Sequence, residues 1–349
     1  MCQRIATISL LFFTLCLSGQ NSGSFENSKR GDIRIVFYNT ENYFDIYNDS
    51  LTHDDEFTTD GEKGWTYNRF RTKTMNLYKT FVAIGETEPP EIICLAEIEN
   101  NYVLSELIGQ TPLVKFDYEI VHYDSPDSRG IDVGLLYRRD AIRLSASHPI
   151  PVYFNDDTLK HTRDILYSKL VLPSGDTLHI FVNHWPSRLG GIKKSEFLRL
   201  QVAKVLRKAV DSVLLTDSCA SIICLGDFND EPFNTSITEG LKAMTPTESY
   251  ICNGLYNLSG NLLEQCHCGT YRYRNTWNMF DQVIVSGSLL SESKSTGTCE
   301  NCLHIADYDF LLVEEEKYGG KKPFRTYLGP VYKGGFSDHL PVYLDIYSR

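Results

Sequence analysis

The sequence predicts an α/β chain in which two stacked β-sheets are covered by helices. β-Branched and aromatic runs of strand length recur from Ile33 to Ile346, only two long segments carry helical periodicity, and no Pro/Gly/Ser-rich linker divides them. The 349 residues, 42% hydrophobic and 12% aromatic, suffice for one large core, and no repeat of fixed period is visible.

The N-terminus differs from the rest. Arg4 precedes an apolar run from Ile5 to Leu17, and Ser18, Gly19, Gln20, Asn21 and Ser22 follow. So short a run fits a secretory signal better than an uncleaved anchor, so residues 1–19 are expected to be a signal peptide and 20–31 a flexible leader to a domain at 32–349. The protein is then exported to the periplasm, cell surface or medium, with no transmembrane span in its mature form. Lipid attachment at Cys16 is the alternative, although Leu15 is bulky for such a cleavage site.

Within the domain, strands are expected at Ile33–Tyr38, Ile92–Ala96, Tyr118–His122, Val133–Tyr137, Lys169–Leu172, Leu178–Val182, Ser221–Leu225, Gln282–Val285 and Val342–Ile346. Helices are expected at Arg69–Ile84 and Lys194–Leu215, the second with Leu198, Val202, Val205, Ala209 and Val213 as an apolar stripe. Cys94 and Cys224 fall inside apolar runs and read as small buried hydrophobes. Cys252, Cys266, Cys268, Cys299 and Cys302, with Cys219 as a further partner, read as disulfides of an exported protein, a zinc knot being the alternative.

Acidic residues recur where these strands end. Asn39 and Glu41 follow the first strand and Glu97 the second; Gly226-Asp227-Phe228-Asn229 follows Ile222–Leu225; Asp281 opens a strand, and Ser337-Asp338-His339 precedes the last one, which Pro341 starts at Val342. Any one of these is an ordinary turn or a solvated acid. Several strand ends delivering carboxylates, amides and imidazoles to one place make a site for a hard divalent cation and a phosphate. Asp227 positions or activates water, Asn229 bonds a phosphate oxygen without repelling it, and His339, its tautomer fixed by Asp281, can work as a general base, so the formal base is either Asp227 or His339, or the two share the role. His184, in Asn183-His184-Trp185-Pro186-Ser187-Arg188, suits a contact to phosphate or leaving oxygen, with Asn183 and Arg188 beside it.

The remaining candidates keep two readings each. Arg129 with Asp132 is either near the site or a turn salt bridge, and Lys193 and Lys194 either favour an anion at a helix start or are solvated. Tyr271, Tyr273 and Trp277 either stack a base or sugar or pack in the core. The net charge of -11 excludes a broad basic nucleic-acid surface but not a nuclease that recruits phosphate through its cation.

The ordered set Asn39, Glu97, Asp227 with Asn229, Asp281, and Asp338 with His339 resembles the endonuclease/exonuclease/phosphatase superfamily over roughly Asp32 to Ile346. Asn-Thr-Glu-Asn-Tyr-Phe-Asp and Asn-His-Trp-Pro-Ser-Arg are similar to exported bacterial members. The resemblance implies a four-layer sandwich of two packed mixed β-sheets flanked by helices, and Mg²⁺- or Mn²⁺-dependent phosphoester hydrolysis at one end of the sheets. It implies Glu97 as principal metal ligand supported by Asn39, with Asp338 as a second metal-side carboxylate and Glu41 leaving room for a second ion. It further implies Asp227 and Asn229 as the pair orienting water and phosphate, Asp281 and His339 as a dyad, and His184 as the added histidine of the deoxyribonuclease and sphingomyelinase branches. The expected function is an exported, monomeric nuclease acting on phosphodiesters. A lipid or small-molecule phosphoesterase shares the core and differs at the rim; a non-catalytic scaffold would have no physical reason to keep every carboxylate.

Overall fold

The computed structural model describes residues 30–154, 161–266, 268–292 and 294–349. The signal segment, Cys16 and the leader up to residue 29 lie outside them, as do His267 and the side chain of Cys266. Gly31–Arg349 forms one compact unit, and no described helix is long and apolar enough to cross a membrane.

Alternation along the strands fixes the layers. In β1 (Ile33–Tyr43), Ile33, Ile35 and Phe37 face one side and Val36 and Tyr38 the other, and β2 (Ile92–Ile98) repeats this with Ile92, Cys94 and Ala96 against Ile93 and Leu95. β1 and β2 run parallel through the crossover helix α1 (Tyr67–Gly85), which starts at Thr66, whose side chain accepts from the Arg69 amide. β2 continues antiparallel to β4 (Asp132–Arg138), which pairs with β3 (Tyr118–His122).

The second sheet reuses the device. After β5 (Arg143–Ile150) and β6 (Ile165–Val171), β7 (Thr177–His184) and β8 (Ser221–Asp227) are parallel around α3 (Ile192–Thr216), which follows the short α2 (Asn101–Gly109) in chain order. β9 (Asp281–Ser286) lies antiparallel to β8, and β10 (Val342–Ser348) antiparallel to β1 in the first sheet. Each large sheet has seven strands of mixed direction.

The inner faces, with Phe37, Cys94, Ile180, Val182, Leu225, Val283 and Leu344, form the central core. Phe70, Leu77, Phe81 and Ile84 of α1 cover the outer face of the first sheet; Leu198, Val202, Leu206 and Val210 of α3 cover that of the second. The four-layer sandwich is therefore as the sequence implied. Three elements differ from expectation. β5, with an exposed edge and the sequence RLSASHPI, has too few apolar positions to announce a strand, and β6 starts at Ile165, ahead of the run at Lys169. The helix α2 was also unexpected; its signal is Asn100, whose side chain accepts from the Val103 amide.

Cys219 bonds Cys252 and Cys299 bonds Cys302, and Cys268 is also in a disulfide, so these residues are not a zinc knot. Cys94 and Cys224 are free and buried, one between the sheets and one under α3.

Candidate active site

Because β1 and β2 are parallel, as are β7 and β8, and β9 and β10 are antiparallel to their neighbours, four strand C-termini and two N-termini meet at one edge of the sandwich. The sequence motifs sit at these ends, and local irregularities aim them. The register of β1 with β2 shifts between Asn39 and Tyr43, where Glu41 and Asn42 take positive φ (51° and 59°); that of β2 with β4 shifts across Glu97 (φ 58°). Such bulges turn a side chain out of the alternation, and the left-handed backbone of non-glycine residues is strain held by the surrounding fold. Asn229 has φ 51° as well.

Gly226 is required by space. A Cβ there would lie 2.1 Å from the Asn183 carbonyl oxygen of β7, so β8 passes its neighbour only without a side chain. Gly226→Ala is expected to destabilise the protein by about 3 kcal/mol, measured by urea unfolding, because both contacting groups are backbone or buried and neither can move aside.

A cavity of about 790 Å³ opens over these ends, lined among others by Glu97, His184, Asp227, Asn229, Arg325 and His339. Asp227 is its hub. Its Oδ1 accepts from the Asn229 amide (2.9 Å) and its Oδ2 from Asn39 Nδ2 (3.0 Å), while His184 Nε2 and His339 Nε2 stand 3.7 and 3.8 Å from Oδ2. These last gaps exceed a hydrogen bond and suit an oxygen between the groups. Burial, only partly offset by His339 and further raised by Asp281, pushes the Asp227 carboxyl up to about 7.

The two histidines are held in opposite states. Burial lowers the proton affinity of His339, but Asp281, Asp227 and the 2.7 Å bond from its Nδ1 to Asp281 Oδ2 more than compensate, and it is raised well above the usual imidazole range. His184 is pushed well below that range by burial and by Arg163, Arg129 and His339. Its Nδ1 is sealed without a partner, so only Nε2 meets the cavity, 3.8 Å from Glu97 Oε1.

Arg325 was not anticipated. Its Nε donates to Glu41 Oε1 (3.1 Å) and its terminal nitrogen to Asp338 Oδ2 (2.8 Å), while the Thr326 amide donates to Glu41 Oε2 (2.6 Å). Beneath them the fully buried Lys73 of α1 donates to Thr326 Oγ1 (2.6 Å) and the Phe336 carbonyl (2.5 Å). Burial, opposed by Glu41 and Asp338, lowers its ammonium to about 8. Burial and Asp338 push the Glu41 carboxyl up to about 7. Lys73 was legible as a charge within the apolar stripe Phe70, Leu77, Phe81; Arg325, in a run without periodicity, left no such signal.

Several expected roles change. Glu41 has both oxygens bonded, one by Arg325 and the other by the Thr326 amide, whereas Asp338 meets Arg325 with one oxygen only, so Glu41 leaves the ligand set. Asn39 is buried and spent on Asp227 and the Glu41 amide; it orients Asp227 instead of facing the cavity. Asn183 is fully buried, donating to the Phe181 and Leu225 carbonyls and accepting from Trp185 Nε1, which leaves nothing for substrate. Trp277 packs against the core of the first sheet, and Lys193 and Lys194 are solvated in the first turn of α3. Asp132 is bonded to His122 and Ser125.

Other residues stay at the cavity. Arg188 donates to the Asn229 carbonyl (2.9 Å) and lies over the Phe280 ring (4.6 Å); Arg129, half exposed, is 3.4 Å from Asp127. Tyr271 stacks on Phe280 (5.4 Å) beside His339, and Tyr273 is exposed.

Residues 34–348 match the Endonuclease/Exonuclease/phosphatase family. The chain belongs to this family. It is a metal-dependent hydrolase of phosphoester bonds, as members of the family are. No curated protein matches the sequence. Among solved structures, a humanized D. rerio TDP2 is similar at 15% identity and TM-score 0.54, covering 90% of this chain and 99% of its own. The human Nocturnin catalytic domain is similar at 17% identity and TM-score 0.51, covering 91% and 94%. A Bacteroides thetaiotaomicron mannosyl-6-phosphatase is similar at 15% identity and TM-score 0.51, covering 90% and 99%.

The donors fit the family's divalent metal. Glu97 and Asp338 line the cavity; Glu97 keeps Oε1 clear of any donor's hydrogen bond, and Asp338 keeps one oxygen outside the Arg325 pair. Burial, together with the neighbouring Asp281 charge, raises Asp227, and a hard, oxygen-bound cation beside it would favour its ionised form.

Proposed function

We propose that the chain is an exported nuclease that hydrolyses phosphodiesters of single-stranded nucleic acid by in-line attack of water. The exposed Tyr273 ring at the cavity mouth carries this reading, with Tyr271 behind it packed on the buried Phe280. Ring faces of this kind take unstacked bases without reading sequence, whereas a duplex would need the basic track that a chain of net charge -11 does not supply. The Cys219–Cys252 and Cys299–Cys302 disulfides and the apolar run after Arg4 support export. The TDP2 fold also occurs in a complex of D. rerio TDP2 with single-strand DNA product.

Glu97 and Asp338 would hold Mg²⁺ or Mn²⁺, which when bound neutralises the phosphate and the charge developing on the leaving oxygen. Asp227, raised to about 7, accepts the proton of the attacking water. His339, kept protonated by Asp281, donates from Nε2 to a non-bridging oxygen and so is not the base. His184 presents Nε2 from the other side of Asp227, and Asn229 holds the loop that aims it.

Purified protein with Mg²⁺ or Mn²⁺ is expected to cleave single-stranded DNA faster than duplex DNA, a sugar phosphate or sphingomyelin. Tyr273→Ala should raise KM for single-stranded DNA about tenfold and leave a p-nitrophenyl phosphodiester unchanged. Turnover of the sugar phosphate without DNA cleavage would replace the nuclease by a phosphatase within the same family.

A further inference from the structure

A guanidinium presents its N–H groups along more than one edge, and Arg325 gives only one of them to the protein. Its Nε donates to Glu41 Oε1 and its Nη2 to Asp338 Oδ2, so both carboxylates lie along the side that carries these two nitrogens. The edge that carries Nη1 is open. Among the described residues Nη1 makes no hydrogen bond and is not sealed from solvent; the side chain is 36% exposed and lines the cavity with Asp227, Tyr271 and His339.

The guanidinium is also held in place. Glu41, 6% exposed, accepts the Thr326 amide on its other oxygen, so the Arg325 side chain and the next backbone N–H close on one carboxylate. α1 fastens the segment from beneath. Lys73 donates to Thr326 Oγ1, Asn76 Nδ2 donates to the Gly334 and Gly335 carbonyls (3.1 and 2.8 Å), and the Phe336 amide meets the Phe324 carbonyl (2.5 Å). Ordering a long side chain costs rotamer entropy, and here that cost falls on folding, before any substrate arrives.

We propose that Arg325 is a substrate-binding residue whose open edge hydrogen-bonds the non-bridging oxygens of the reacting phosphate. An edge of two N–H groups matches two oxygens of one phosphate, which an ammonium does not. Asp338, which Arg325 holds, immediately precedes His339, so guanidinium and imidazolium address the phosphate from neighbouring positions. The same charge opposes a cation at Asp338. Arg325 therefore acts on phosphate and on metal with opposite signs. The proposal rests on the phosphoester hydrolysis of the family and not on the nuclease reading.

The test compares Arg325→Ala and Arg325→Lys with wild type. Turnover of bis(p-nitrophenyl) phosphate is read at saturating Mn²⁺, and calorimetry reads the binding of Mn²⁺ and, on the Mn²⁺-loaded protein, of inorganic phosphate. Arg325→Ala is expected to lower kcat/KM about 100-fold and to weaken inorganic phosphate at least about tenfold, because hydrogen bonds to a charged partner are lost. Arg325→Lys, which keeps the charge and loses the paired edge, should cost about tenfold in kcat/KM. Mn²⁺ should bind Arg325→Ala at least as tightly as wild type, since a positive charge has been taken from Asp338. A merely structural arginine would weaken Mn²⁺ and phosphate together, through a disturbed Asp338. Should the alanine protein not fold, the lysine protein carries the test on inorganic phosphate. A folded Arg325→Ala, or in its place Arg325→Lys, that binds inorganic phosphate as wild type does overturns the proposal, and so does a loss of phosphate affinity matched by an equal loss of Mn²⁺ affinity. Phosphate binding is read without turnover, so failure to hydrolyse the diester falls on the nuclease reading alone.

Discussion

Asp227→Asn is expected to lower kcat about 1,000- to 10,000-fold on any phosphoester the protein accepts, with KM nearly unchanged. The amide preserves the shape and its single oxygen can still accept from the Asn229 amide, which keeps the loop in place, while its nitrogen faces Asn39 Nδ2 and that one bond is lost. What it cannot do is accept a proton from water. Single-turnover rates with Mn²⁺ held saturating separate this from lost metal affinity, and a drop below about tenfold would show that Asp227 is not the base. The pH profile carries the sign. A carboxyl raised to about 7 is protonated and inactive as a base below that value, so the wild-type rate should rise with pH through about 7 and the residual rate of the variant should not.

Asp281→Asn is the second large effect, at about 1,000-fold in kcat. Asp281 is fully buried and touches no solvent; it acts through His339, so it is a positioning residue. Removing its charge takes away the first of the interactions that hold the imidazole protonated against burial, and the asparagine amide can force the other tautomer. His339→Ala should cost about as much, and the double variant little more, because the two groups act as one unit. Additive losses would separate them. An NMR titration of the His339 ring distinguishes this role from a merely structural one, since Asp281→Asn should move its protonation to lower pH while leaving the fold intact.

Much of this site was legible because its chemistry is concentrated where local sequence signals are strongest. Glu97, Asp227, Asp281 and His339 stand at the ends of apolar runs whose lengths fix where a strand must stop. Asn39, Asn183 and Glu41 share that signature and yet serve other purposes, because polarity at a strand end does not say whether the group is consumed inside the protein. That depends on neighbours distant in sequence: Arg325 comes 284 residues after Glu41. The two central βαβ crossovers were legible by periodicity, whereas the edge strand β5, half solvated, had no pattern to offer.

The division of the site between two sheets has a consequence for how the protein fails. Glu97 and His339 stand at the first sheet, His184, Asp227 and Asp281 at the second, and what keeps them in register is the apolar layer from Phe37 to Val283. Neither half is an enzyme by itself. Loosening that layer, for instance at Val182 or Leu225, separates proton acceptor from metal carboxylate by a slip too small to unfold either sheet, so turnover is expected to vanish on warming while secondary structure is still intact.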